Sequence, residues 1–271
     1  MEKSIATIKE NDLQYLPQGD PYPSFALVKD AYTHFDDLPL LIEGESKIVK
    51  TINNDLVIIK LKPTLFSYSA NRAAVVEGSD DLRLKISQIL WRELMKAGVD
   101  VGILWVGPDF YVANKVAPCP IEVIVKGAHV GTPKHSYRNM ERYRTRNGDL
   151  ILPEMRHTPY VRFDWRNPLP HKDECLPSWL ADKFIDTKMA EIIALKSFDV
   201  LQGFLTKRGI EILDICFFIT TEGSTVFGEI SPDCMRAKFS GDDLDKDLWR
   251  KGKDRDTILE RWSTFLRLVE S

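Results

Sequence analysis

Apolar residues along the chain fall into short runs of strand character and longer stretches of helical spacing. Leu40-Leu41-Ile42, then Lys47-Ile48-Val49-Lys50, then Leu56 to Leu61 are β-rich runs parted by Gly44 and by Asn53-Asn54-Asp55, which predicts an antiparallel meander. From Asp80 to Ala97 the period changes: Leu82, Ile86, Ile89, Leu90 and Leu94 share one helical face, and Gly98 follows as a stop. Val101 to Val106, Phe110 to Val116 and Ile121 to Val125 return to strand patterning between Gly107-Pro108 and Pro118-Cys119-Pro120. Leu180 to Arg208 predicts a long helix, with Phe184, Met189, Ile192, Phe198, Leu201 and Leu205 on its apolar side and Gly209 at its end. Ile210 to Thr220 and Thr225 to Ile230 predict a hairpin around Glu222-Gly223, and Asp254 to Leu268 a terminal helix.

This order of elements suits an α+β fold, antiparallel sheets with packed helices, better than a doubly wound parallel sheet. The first forty residues are turn-rich (Pro17, Gly19, Asp20, Pro21, Pro23) and predict an extension over 1–37, ahead of a small lobe over 38–120 and a larger one over 121–271. The 271 residues, 44% hydrophobic and 28% charged, exclude disorder or coiled coil for the whole. With 37 Lys+Arg against 40 Asp+Glu, the net charge of -3 gives no bulk attraction to nucleic acid or an anionic membrane, so neither is expected as a partner. No apolar run is long enough to span a bilayer, and Met1 to Asp20 lacks the pattern of a secretory signal. Cys119, Cys175, Cys216 and Cys234 have no CxxC spacing, so a cytoplasmic location is the expectation.

Charge is unevenly placed. Lys126 to Gly148 holds His129, Lys134, His135, Arg138, Arg142, Arg144 and Arg146 against one acid, Glu141, and reads either as a solvated loop face or as an anion site. Gly44 with Lys47 just beyond it is either an ordinary hairpin or a turn that lays backbone N–H groups and a cation along phosphates. Lys126 with Gly131-Thr132 is a strand running into a small-residue turn suited to a phosphate or carboxylate. Glu229-Ile230-Ser231-Pro232-Asp233 with Arg236 gathers two carboxylates, a hydroxyl and a guanidinium, as a salt-bridged loop or as part of a site.

Together these stretches resemble the phosphoribosylaminoimidazole-succinocarboxamide synthase, or SAICAR synthetase, family of purine-pathway ligases. The likeness runs from about Leu40 to Leu268 and rests on Gly44-Glu45-Ser46-Lys47-Ile48-Val49, Pro120 to Lys126 with Gly131-Thr132, Gly209 to Asp214, Glu229 to Asp233 with Arg236, and Leu244 to Arg250. It implies an ATP-grasp-related cleft, a nucleotide-loop lobe before a substrate-binding lobe, and ATP-driven joining of a phosphoribosyl carboxylate to an amine such as that of aspartate. It further implies Gly44, Ser46 and Lys47 at ATP; Lys126, Gly131, Thr132, Ser231, Arg236 and Lys246 at the phosphoribosyl ligand; Glu229 and Asp233 as catalytic residues; and Glu229 at Mg²⁺. A homo-oligomer is a further expectation.

The departures from the family pattern fall on one side. Glu45 stands where the family has a lysine, Cys216 and Phe218 where it has a lysine and a glutamate, and Gly228 where it has an acid. Lys126 replaces an arginine, and Glu77 to Asp80 and Asn167 to His171 also differ. Losing metal carboxylates and placing Glu45 beside a polyphosphate both stand against Mg·ATP. Two readings follow. In one the chain is a ligase whose missing groups come from Glu222, Asp233 or Asp243. In the other it is a non-ligase homologue that binds a phosphorylated nucleoside or nucleotide without Mg·ATP chemistry, as a sensor, scaffold or tailoring enzyme. Cys216 in a strand reads as a small buried hydrophobe before it reads as a nucleophile. His129 and His135 read as loop residues or phosphate neighbours before they read as general bases.

Overall fold

The computed structural model describes residues 8–17, 21–67, 72–117, 119–131, 139–168 and 171–271. The first half of the chain forms β1 (Gln14–Tyr15), α1 (Phe25–Thr33), β2 (Leu40–Glu43), β3 (Lys47–Thr51), β4 (Leu56–Leu61), the hairpin β5 (Thr64–Ser67) and β6 (Arg72–Val75), α2 (Ser79–Lys96), β7 (Ile103–Val106) and β8 (Tyr111–Asn114). The second half adds β9 (Ile121–Ala128), β10 (Arg156–Trp165), β11 (Glu174–Cys175), α3 (Ser178–Ala181), α4 (Thr187–Thr206), β12 (Ile210–Ile219), β13 (Val226–Phe227), β14 (Met235–Phe239), β15 (Asp242–Asp243), α5 (Asp247–Arg250) and α6 (Arg255–Glu270).

All named strand pairs are antiparallel, as expected for an α+β chain of this patterning. The first sheet runs β1-β7-β8-β4-β3-β2, and the second β11-β10-β9-β12-β14-β15 with β13 beside β12. The main core lies between them: Leu90, Trp91 and Leu94 of α2 and Phe198 and Leu201 of α4 join Ile59 of β4, Val123 of β9 and Phe217 of β12. A smaller core locks hairpin β5–β6 to the C-terminal helices through Leu65, Trp249, Ile258 and Trp262. The cleft described below opens between these layers.

One expectation is corrected. The helix read from Leu180 to Arg208 is two helices, because Asp186 restarts it: its carboxylate accepts the Met189 N–H at 3.0 Å as an N-cap, a role that competes with helix interior. The 1–37 segment, expected as an extension ahead of the first lobe, packs on the first sheet where it is described. Strand β1 caps the edge strand β7, and Ile8, Leu13, Val28, Ala31 and Phe35 bury the outer face of the first sheet against Ile58, Leu104 and Val112. Trp105 Nε1 donates to the Pro23 carbonyl at 2.8 Å, fixing the chain just before α1. At the predicted hairpin, Gly223 is required: its φ is +71°, and a Cβ there would lie 2.6 Å from the Ala190 nitrogen.

Phe35→Ala removes a ring buried against the first sheet and is expected to lower unfolding free energy by about 3 kcal/mol in urea melts. A change below about 0.5 kcal/mol would mean that the segment adds nothing to the sheet it covers.

Candidate functional site

Three neighbouring strands place unlike charges in a row. Lys126 on β9 is in register with Asp214 on β12, and Asp214 is in register with Arg236 on β14. The Lys126 ammonium and the Arg236 guanidinium (Nη1, 2.9 Å) both donate to Asp214 Oδ2. Lys126 also donates to the Val130 carbonyl at 2.6 Å, and Arg236 Nε to Asp247 at 3.0 Å. Burial pushes the Lys126 pKa down against the pull of Asp214. Burial opposes the Arg236 charge too, but Asp214 and Asp247 outweigh it and hold the guanidinium protonated. Beside this row Lys246 pairs with Asp233 at 2.9 Å, both side chains slightly exposed. Burial would raise the Asp233 carboxyl, yet Lys246 and Arg83 hold it below the usual carboxylate range.

The row lines a cavity of about 1110 Å³, which Lys47, Ser46, Glu45, Gly131, Glu122, Cys216, Phe218 and Glu229 also reach. The structure therefore brings together Lys126, Gly131, Arg236, Lys246, Asp233, Glu229, Ser46 and Lys47. Gly44 is not among the lining residues; its N–H closes the β2–β3 hairpin on the Lys47 carbonyl at 3.0 Å. Ser231 is fully buried, its hydroxyl donating to Glu229 and accepting the Asp233 N–H at 3.1 Å, so it faces the loop and not the cavity. Thr132, Lys134, His135 and Arg138 lie outside the described residues. Arg142, Arg144 and Arg146 are exposed and away from the cavity lining. Glu222 and Asp243, expected as substitutes for lost acids, are not in the lining either: Glu222 bonds Thr221, and Asp243 pairs with Lys251.

The opposite wall depends on α2. Arg83, Ser87 and Trp91 recur at every fourth position and so share one helix face. Trp91 Nε1 donates to the Gly228 carbonyl at 3.0 Å, and Ser87 Oγ accepts the Ile230 N–H at 3.2 Å. Between them, Arg83 grips Glu229 with both arms, Nε to Oε1 at 2.7 Å and Nη2 to Oε2 at 2.6 Å. Arg83 is fully buried and Glu229 nearly so. Sequence reading missed Arg83, although its spacing from Leu90 and Leu94 put a charge on the apolar face, a position that demands a buried carboxylate.

The departures from the family pattern lie at this wall. The Phe218 ring sits between two cations, with Lys47 Nζ 5.2 Å and Arg166 Cζ 4.8 Å from its centroid. Burial lowers the Lys47 pKa, Glu229 raises it, and Arg166 and Arg83 lower it further. Arg166 Nε also lies 3.6 Å from Glu122, whose carboxyl is raised by burial and by Asp173. Burial pushes the Cys216 thiol far up, with Glu122 adding to the shift, which favours the neutral thiol over the thiolate. The metal role expected of Glu229 does not fit this geometry, because both its oxygens are taken by Arg83 and one also by Ser231. Among the described residues no group of three or more His, Cys, Asp or Glu is placed to hold a metal ion. The residues described at this wall therefore do not fit a Mg²⁺ ion held by protein carboxylates alone. Nor is any described helix long and apolar enough to cross a membrane.

The SAICAR synthetase family model matches residues 40–264. The chain is similar to the phosphoribosylaminoimidazole-succinocarboxamide synthase of Methanocaldococcus jannaschii, 32% identical over 222 residues that cover 78% of this chain and 87% of that protein. It is also similar to the bifunctional cordycepin biosynthesis cluster protein 3 of Cordyceps militaris, 26% identical across 88% of this chain; the match spans 34% of that longer relative. A solved SAICAR synthetase in complex with ADP superimposes with a TM-score of 0.70 at 25% identity, covering 84% of this chain and 96% of that one.

Asp245 anchors the segment that carries Lys246 and Asp247, accepting the Ala237 and Asp247 N–H groups at 2.7 and 2.6 Å. Burial and the Asp247 charge push its carboxyl up to about 7. A carboxyl raised on folding contributes stability at low pH that is lost as pH rises through its folded value. Asp233 and Asp247, both shifted down, titrate at lower pH. Urea melts are expected to show stability falling between about pH 4 and pH 7, and Asp245→Asn to flatten that slope. An unchanged slope in the variant would assign it to another group.

Proposed function

Because the chain belongs to the SAICAR synthetase family of purine-pathway ligases, we propose that its cleft joins the carboxylate of a phosphoribosyl compound to the amine of an amino acid such as aspartate. One observation carries the reading: the row Lys126, Asp214 and Arg236, extended by Lys246 and Asp233, lines the same cavity as Lys47. A ribosyl phosphate offers hydroxyl donors and a dianionic acceptor group, and a wall of alternating cations and carboxylates matches both.

In this reading Asp214 has two tasks. It keeps Lys126 and Arg236 charged and oriented before substrate arrives, so less ordering is left for the binding step, and it remains an acceptor for a sugar hydroxyl. Lys246, held by Asp233 at the cavity edge, meets the phosphate or carboxylate of the ligand. Lys47 and Ser46, on the facing hairpin, lie toward a nucleotide. A carboxylate is a poor electrophile; ATP, when bound, would supply the phosphoryl group that makes it a better one. Glu229 acts through Arg83 as a positioning residue, since Arg83 bonds both its oxygens. We further propose a cytoplasmic enzyme.

Titration calorimetry with carboxyaminoimidazole ribonucleotide is expected to give saturable binding at one site per chain. Lys246→Met should weaken it by about 10-fold or more, the loss of a charge-assisted contact, and should also lower the melting temperature, because the Lys246–Asp233 pair is largely buried. Absence of saturable binding to the unmodified chain would contradict the reading.

A further inference from the structure

The nucleotide side of the cleft carries cations beside the positions from which the family pattern loses its acids. We infer that this wall grips a phosphoryl anion without a divalent cation, the Arg83 and Lys47 charges taking the place of the metal. The inference deepens the nucleotide half of the proposed function and rests on that half alone.

Three observations exclude a carboxylate cage. Phe218 presents a ring to Lys47 and Arg166 where an acid would bind an ion. Gly228 has a φ of +79°, a left-handed conformation in which a side chain is strained, and a Cβ there would stand 3.4 Å from Phe218 and 3.8 Å from Lys47 Nζ. The remaining acid, Glu229, is closed on both oxygens by Arg83. A metal at Glu229 would meet the buried Arg83 guanidinium beside it, and displacing that guanidinium would strand its charge.

What is left is positive. Lys47 makes no ion pair among the described residues and lies near Arg83 and Arg166. Arg83 stays protonated at every accessible pH, its charge cancelling Glu229, so Glu229 no longer repels an incoming phosphate. Arg83 Nη1 donates to the Lys62 carbonyl at 3.0 Å, which fixes the guanidinium between the two layers. A metal ion would do the same two things, neutralise the acid and present positive charge, but it would have to be recruited from solution. Glu45, at the cavity, is the acid on the hairpin side that still opposes an anion.

The test is calorimetry of the full chain with ADP and, separately, inorganic pyrophosphate, each in EDTA and in Mg²⁺, with Mn²⁺ binding followed by electron paramagnetic resonance. The inference predicts ADP affinity in EDTA within about threefold of that in Mg²⁺, pyrophosphate binding in EDTA, and Mn²⁺ left free by the protein. Lys47→Met should weaken ADP in EDTA by about 10-fold at unchanged melting temperature, and Phe218→Glu should weaken it similarly while Mg²⁺ restores part of the loss. An ADP affinity lost by more than about 30-fold in EDTA, one Mn²⁺ held per chain, ADP binding without pyrophosphate binding, or no binding of either would each overturn it. Failure of the ligase reading shows instead as loss of carboxyaminoimidazole ribonucleotide binding, which uses the Lys126–Arg236 wall.

Discussion

The buried bidentate contact between Arg83 and Glu229 ties a helix packed beneath one sheet to the loop between β13 and β14 of the other. Removing either partner leaves an uncompensated charge in the interior, at a cost of roughly 3–5 kcal/mol. Because Ser87 and Trp91 hold the flanking backbone from the same helix face, the position of Gly228-Glu229-Ile230 is set three times over. Asp233, which faces the cleft from that loop and pairs with Lys246, inherits its place from this clamp. The pair also fixes the electrostatics of the wall: the acid is neutralised from behind, and Lys47 lacks an ion-pair partner of its own among the described residues.

The other wall obeys a different rule. There β-sheet register, not a helix, aligns Lys126, Asp214 and Arg236, and one aspartate serves two cations. Each charge is paired before any ligand arrives, so the wall is rigid and nearly neutral. It suits a ligand with mixed polarity, while the Lys47 wall suits a plain anion. The cleft thus has two ends of different chemistry, joined by strand β12, which carries Asp214 at one and Phe218 at the other.

Much of this was legible in the sequence where one period dominates. The β2–β3–β4 meander, α2 and the Gly223 hairpin follow directly from spacing and glycine placement. Helix α1 was hidden because Pro21 and Pro23 mask the start of Phe25–Thr33, and β10 because Arg156-His157-Thr158-Pro159 reads as loop; its register shifts there, between Arg156 and Tyr160. At the site, Lys47, Lys126, Asp233 and Arg236 stand out from local charge and turn patterning and Lys246 through the resemblance, and the structure brings all five to one cavity. Arg83 and Arg166 were not found, since an arginine's partner is a matter of tertiary placement: Glu229 lies 146 residues along the chain from Arg83. Ser231 shows the converse, a motif hydroxyl that turns inward to the loop it belongs to.

The clamp at Glu229 is most directly tested by a crystal structure grown with ADP and Mn²⁺, measured at the manganese absorption edge. The account predicts Arg83 still closed on Glu229, nucleotide phosphates against Lys47, and no anomalous peak at the carboxylate. A manganese peak within bonding distance of Glu229, with Arg83 swung away, would contradict it.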